Sequence, residues 1–186
     1  MVEFKKNTWF YPLAVAIIGT YDEDNTPNAM NAAWVSIYDY NTVLLNLSEH
    51  KTTKNLEKNK ALTIAFATKS TIEASDYVGL VSGDKVKDKV YKAGLTPVKA
   101  PNVNAPLFKE YPLTLECTVR SIDEDYHVIC DIVAIQVDES ILTNNKIDPK
   151  KLEAVSFDPV NNKYLLLSGE VVADAFSIGL NIKNKA

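Results

Sequence analysis

Histidine and cysteine each occur only twice in this 186-residue chain, as His50, His127, Cys117 and Cys130. So few soft ligands, so far apart, exclude a closed zinc site of familiar spacing. Two buried, reduced thiols in a cytoplasmic protein are the expected state. Positive charge is not in excess either: 20 Lys and Arg stand against 24 Asp and Glu, a formal charge of -4. No broad basic surface exists to neutralise a phosphate backbone, which excludes general nucleic-acid binding. No apolar run approaches the roughly 18 residues of a membrane span. Lys5 and Lys6 before Leu13 to Ile18 imitate a leader, but Glu3, Pro12 and the lack of a clear small-residue cleavage site argue against one. The six glycines and eight prolines are dispersed, with no low-complexity tract or repeat. What remains is 46% hydrophobic and long enough for one sizeable core, so a single domain over 1–186 is expected.

Several catalytic signatures are missing as well. The chain has no G-x-x-x-x-G-K-[ST] loop, G-x-G-x-x-G turn, G-x-S-x-G elbow or H-E-x-x-H helix. A nucleophilic triad would have to use His50 or His127, and His127 falls in a strand pattern where a hydrogen-bonded structural role is expected. Asp123 and Asp125 fall in a turn and read as solvated.

The pattern along the chain is mostly β. Leu13 to Thr20, the polar turn Asp22 to Pro27 and the apolar run Asn28 to Ile37 read as a hairpin. Thr42 to Leu47 follows as a strand, then a short surface helix around Lys54 to Asn59 with Thr52 or Thr53 as N-cap, then a strand at Ala61 to Ala67. Thr71 to Val78 reads as a helix capped at Thr71, and Asp84 to Ala93 as another closed by Gly94. Leu95 to Pro106, with three prolines and two asparagines, reads as an irregular loop over the body. Pro112 to Ser121 and Tyr126 to Val137 form a second hairpin by alternation. A short helix at Pro149 to Leu152, a strand at Tyr164 to Leu167 and an apolar segment from Val171 to Gly179 close the chain. Strands at both ends with helices inserted between them predict an antiparallel barrel, mainly β with helical insertions.

Two constellations invite a ligand. In Asn28-Ala29-Met30-Asn31-Ala32-Ala33-Trp34 the small side chains would let a flat ligand approach the backbone; close sheet packing is the alternative. At Ser48-Glu49-His50-Lys51-Thr52-Thr53-Lys54-Asn55, a strand-to-helix junction, free amides, hydroxyls and lysines could surround a phosphate; an ordinary capped helix is the alternative.

The ordered series Tyr11-Pro12-Leu13-Ala14-Val15, Gly19-Thr20-Tyr21-Asp22, Pro27 to Trp34, Ser82-Gly83, Asp88-Lys89, Ala93 to Pro97, Asn104-Ala105-Pro106, Leu115-Glu116-Cys117 and Ala175 to Gly179 resembles the flavin reductase-like family that includes flavoredoxin. The resemblance implies an antiparallel split β-barrel that binds FMN as a homodimer. It also implies a strand, not a leader, in the opening apolar segment. By similarity, Asn31, Ala32 and Ala33 would present backbone and side-chain groups to the isoalloxazine, and Asn28 and Trp34 of the same string would also bind the cofactor. Ser48, His50, Lys51, Thr52 and Asn55 would hold the ribityl chain and phosphate. Ser82, Gly83 and Lys89 would approach the flavin from the helical insertion, Lys89 favouring charge at the N1 and O2 edge. NADH or NADPH is the implied donor, passing hydride to flavin N5; a flavoredoxin-type carrier reduced by a protein partner, or a non-catalytic flavin-binding barrel, are the alternatives. The chain departs from the family pattern at Asn31, Leu47, Ala65 and Cys130, so the phosphate charge falls to Lys51, Lys54 or His50. Trp9, Phe10, Tyr11, Phe157, Tyr164 and Phe176 offer aromatic surface for the second copy.

Overall fold

In the strand that follows Val15, Ile17 and Ile18 point to opposite faces, yet both are fully buried, so that strand carries protein on each side. The computed structural model describes residues 1–183. In chain order its elements are β1 (Leu13–Ala14), β2 (Ala16–Tyr21), β3 (Pro27–Ala32), β4 (Val35–Asp39), β5 (Thr42–Asn46), α1 (Lys51–Asn59), β6 (Ala61–Phe66), α2 (Ile72–Leu80) and α3 (Lys89–Lys92). There follow β7 (Pro97–Lys99), β8 (Pro106–Phe108), β9 (Leu113–Ile122), β10 (His127–Val137), β11 (Leu142–Thr143), β12 (Lys146–Ile147), α4 (Pro149–Leu152), β13 (Val155–Asp158), β14 (Lys163–Leu166) and α5 (Leu180–Lys183).

The main sheet has seven strands in the order β3-β2-β6-β9-β10-β5-β4, every pairing antiparallel. Its two outer strands, β3 and β4, are joined by only Ala33 and Trp34, so the sheet must curl until its edges meet at that corner. Asn46 N–H donates to the Trp34 carbonyl there at 2.9 Å. Register shifts in β10 at Ile129/Cys130 and Ile132/Ala134 help the β9–β10 ribbon to coil. This is the expected half-open antiparallel barrel. Ile18, Leu45, Leu62, Ile64, Cys117, Val128 and Cys130 fill it, with Leu56 of α1 packed against them. On the outer face Ile17, Ala29 and Ala65 lie under Val78 of α2, Val90 of α3, and Phe108. A Cβ on Gly19 would come within 2.4 Å of Thr63 Oγ1 and 2.8 Å of the Pro106 carbonyl, so the close approach of β8 to β2 demands glycine there.

Several expectations need correction. The Asn28 to Ile37 run is two strands, because the chain changes sheet edge at Ala33. The N-cap of α1 is His50, with Thr53 in its first turn accepting a bond from His50 N–H at 2.9 Å. Only Lys89–Lys92 of the 84–93 segment is helical; Asp84 N–H turns back to Ser82 Oγ, and Lys85 and Val86 N–H to the Ser82 carbonyl, a local alternative to helix. Leu95 to Pro106 is not irregular throughout. Pro97 and Pro106 begin β7 and β8, positions where a missing N–H is tolerated, and Ala100, Val103 and Ala105 are buried. β13 was not foreseen; it pairs with both β1 and β14 to make a second, three-stranded sheet. Val171 to Gly179 lies on the surface, with Val172 and Phe176 essentially fully exposed.

Candidate functional site

β3 runs beneath the start of α1, and the 82–84 turn comes down from α2 over the same place. Between them lies a cleft of about 300 Å³ lined by Asn28 and Asn31 of β3, His50, Lys51 and Thr52 of α1, Ser82 and Gly83 of the turn, and Lys89. The two sequence constellations and the insertion therefore converge. At the start of α1 the Lys51 and Thr52 amides lack intrahelical partners, a seat for an anion, while the Thr53 amide is turned to the His50 side chain in a capping box. Lys51 Nζ stands 3.6 Å from Asp22 and 3.9 Å from Asp84, and Lys54 lines the cleft with its Nζ 3.5 Å from Glu49.

Asn28 is the polar centre of the floor. Its Nδ2 donates to Thr52 Oγ1 at 2.9 Å, which leaves the Thr52 hydroxyl proton free for an acceptor. Its Oδ1 is buried without a partner, an arrangement that costs about 1–3 kcal/mol until a donor arrives. A Cβ on Gly83 would sit 2.4 Å from that oxygen, so the turn packs against Asn28 closely enough to demand glycine.

Lys89 is 3% exposed, and its Nζ donates to the carbonyls of Val81 at 2.8 Å and Val78 at 3.2 Å at the end of α2. A cation at a helix C-terminus complements the carbonyl dipoles. Burial pushes its pKa down to about 8, against the opposing charge of Asp84. Two of its three protons are thus engaged by α2, and one is left for a ligand.

A second depression of about 250 Å³ continues from the first through Asn31, Gly79 and Leu80, and adds Val15, Ala33, Asp76, Phe157 and Tyr164. Asn31 is held by donating Nδ2 to the Ser75 carbonyl at 3.0 Å, and α2 lies close on it because position 79 is glycine: a Cβ there would be 2.9 Å from Asn31 Cβ. Tyr164 O–H donates to Asp76 Oδ1 at 2.6 Å, and burial, reinforced by that carboxylate, pushes its pKa up to about 12. Phe157 packs beside Tyr164 with ring centroids 6.0 Å apart.

Not every expected residue reaches the groove. Ala32 faces the barrel core, and Asn55 lies under α1, its amide donating to Thr20 Oγ1 at 2.9 Å. Ser48 is exposed and reaches the site only through His50, Oγ to Nε2 at 2.9 Å. Trp34, half exposed, lines a neighbouring apolar hollow of about 320 Å³ with Phe10, Pro12 and Leu13. Leu47, Ala65 and Cys130 all take part in apolar packing. Burial pushes both thiols up, Cys117 to about 12, so neither is a nucleophile at neutral pH. His127 is hydrogen-bonded as expected, to Asp123 at 2.7 Å. Asp76, Gly79, Leu80 and Tyr164 were missed. The helix read from Thr71 to Val78 stops short of Gly79 and Leu80, whereas α2 runs on through both. Among the described residues no three His, Cys, Asp or Glu gather to hold a metal, and no helix is long and apolar enough to cross a membrane.

A half-open antiparallel barrel with a groove that is cationic at a helix start and flat along a small-residue strand has the architecture of the split barrels. The flavin reductase-like domain model matches residues 9–152, and the chain belongs to that family. Flavoredoxin of Desulfovibrio vulgaris (Miyazaki F) is 33% identical and superposes with a TM-score of 0.91 over 96% of this chain and 99% of its own. Flavoredoxin from Methanosarcina acetivorans, 24% identical, has the same fold with a TM-score of 0.88 over 98% of both chains. The uncharacterized protein YdfE of Bacillus subtilis is 28% identical over 171 residues, 80% of this chain and 82% of that one.

Proposed function

We propose that this chain binds FMN in the groove and works as an electron-transfer flavoprotein of the flavoredoxin kind. The observation that carries the reading is the continuity of the two depressions through Asn31, which joins a cationic, amide-rich end to a flat end walled by Ala33 and Leu80. The donor set fits the cofactor. The α1 amides, Lys51, His50 and the Thr52 hydroxyl suit a phosphate, which only accepts hydrogen bonds. The orphan Asn28 Oδ1 suits a ribityl hydroxyl, which can donate. Asn31 and Ala33 would face the ring. When bound, FMN supplies the redox chemistry itself, which accounts for a site without a triad or metal cluster.

The carrier reading is favoured over a nicotinamide-driven reductase by the 33% identity to a flavoredoxin and by charge. Neither the flat depression nor the apolar hollow beside it is lined by a lysine or arginine that could meet a dinucleotide's pyrophosphate. NADH or NADPH as donor is the second reading, and one experiment separates the two. Protein purified with FMN and desalted should keep a flavin absorption band. That band should bleach with dithionite and persist under anaerobic NADH or NADPH. Rapid bleaching by either nucleotide would install the reductase reading, and a colourless protein that takes up no FMN would sink both. The working unit is proposed to be a homodimer, supported by the exposed aromatic side chains of Phe10, Tyr11 and Phe176.

A further inference from the structure

Asp76 is the one charged residue lining the flat depression, and the lysines of the groove all lie in its other half. Oδ1 of Asp76 accepts from Tyr164 O–H at 2.6 Å, and among the described residues no other hydrogen bond engages this carboxylate. Tyr164 comes from β14 and Asp76 from α2, so the pair ties the second sheet to the helix across the depression. Tyr164 is fixed in turn by Phe157 at 6.0 Å, and with its pKa pushed up to about 12 it stays a neutral donor at physiological pH. Nothing in the hydrogen bonding of Asp76 neutralises its charge, because its partner is a neutral phenol and not a cation.

We infer that Asp76, positioned by Tyr164, lowers the reduction potential of the flavin and so tunes the chain toward giving electrons away. The inference rests on the FMN-binding reading. Reduction adds negative charge to the ring system, and a carboxylate beside it in a partly desolvated groove disfavours that charge. The tyrosine proton moderates the effect, since a donated hydrogen bond draws density from the carboxylate. The two residues therefore have opposite signs. Asp76→Asn removes the charge and should raise the potential by about 30 mV, a tenfold change in the two-electron equilibrium constant. Tyr164→Phe leaves the charge without its donor and should lower it.

The test is a spectroelectrochemical titration of FMN-loaded wild type, D76N and Y164F, with FMN affinity measured by fluorescence quenching on the same preparations. Retained FMN with potentials displaced upward in D76N and downward in Y164F supports the inference; a loss of packing alone would move both the same way. Retained FMN with an unchanged or lower potential in D76N overturns it and leaves FMN binding standing. Failure of the wild type to retain FMN overturns the binding reading, and the inference falls with it.

Discussion

At the scale of single residues, the groove floor depends on two positions where chemistry and shape coincide. Asn28 has an oxygen without a donor, and Gly83 packs directly against it. Gly83→Ala would place a Cβ 2.4 Å from Asn28 Oδ1. The glycine φ there is not in the left-handed region, so the penalty is steric and local. We expect FMN affinity to fall about tenfold, within the roughly 1–3 kcal/mol typical of overpacking, with an unchanged far-ultraviolet spectrum. A fluorescence titration giving wild-type affinity would show that the cofactor does not pass this point. Lys89 makes a second residue-level prediction. It titrates near 10.5 when unfolded and near 8 when folded, so its burial cost is full below pH 8. Between pH 8 and 10.5 the unfolded chain binds the extra proton and the folded one does not, so stability rises with pH through that window. The raised thiol and tyrosine groups act in the opposite direction, but they are shared with a Lys89→Met variant and cancel in the difference. Urea midpoints should therefore show the wild type gaining on K89M from pH 7.5 to pH 9.5. A gap that stays flat would mean that Lys89 keeps its proton.

At the scale of elements, the clearest unforeseen device is the anchor of the 95–111 segment. Glu116 on β9 is fully buried, and it accepts from Asn102 N–H at 2.7 Å, Asn102 Nδ2 at 2.9 Å and Gln136 Nε2 at 2.5 Å. Removing it strands three donors, each bonded to a charged group, so Glu116→Ala should cost at least about 2 kcal/mol and expose the segment to limited proteolysis near Asn102. Unchanged cleavage and an unchanged urea midpoint would deny Glu116 that role. The same region shows what was legible in the sequence. Long alternating runs such as His127–Val137, the start of α2 after Thr71, the short helix α4 and the glycine after α3 were legible through period and terminus signals, which are local. β7 and β8 did not, because each is only three residues long and headed by a proline, too short to show a period, and β13 did not, because its pairing with β1 joins residues more than 140 apart in the chain. The site divides in the same way. Groove-lining residues carried by contiguous strings, Asn28, Asn31 and Ala33 on one and His50 to Thr52 on the other, stood out in the sequence. Asp76 and Tyr164 meet only because β14 crosses to α2, 88 residues apart in sequence, and Asn55 looked like a ligand because its fully buried partner Thr20 is 35 residues away.

The molecule as a whole leaves a large apolar surface without a partner of its own. β4 is an edge strand of the barrel, and on it and the turn after it Ile37, Tyr38 and Tyr40 are 85%, 53% and 89% exposed. Trp34 stands at the seam, Phe10 borders the hollow beside it, and Val133 and Ile135 project outward from β10, two strands from β4. A hydrophobic edge strand in water is an aggregation hazard unless it is covered, and clustered apolar residues of this kind mark association surfaces. A second copy provides cover with the same composition, and a closed two-fold arrangement uses each face once. Sedimentation at micromolar concentration should give twice the chain mass. Ile37→Lys, at a site whose side chain touches little of its own chain, should leave folding within about 0.5 kcal/mol of wild type yet shift the species to one chain mass. A wild type that sediments as a single chain would count against the dimer. A dimeric I37K would move the contact away from β4, toward the exposed segment from Val171 to Phe176. FMN affinity measured on monomeric I37K then decides whether the groove is complete within one chain: unchanged affinity means that it is, and lost affinity means that the second copy closes its open side.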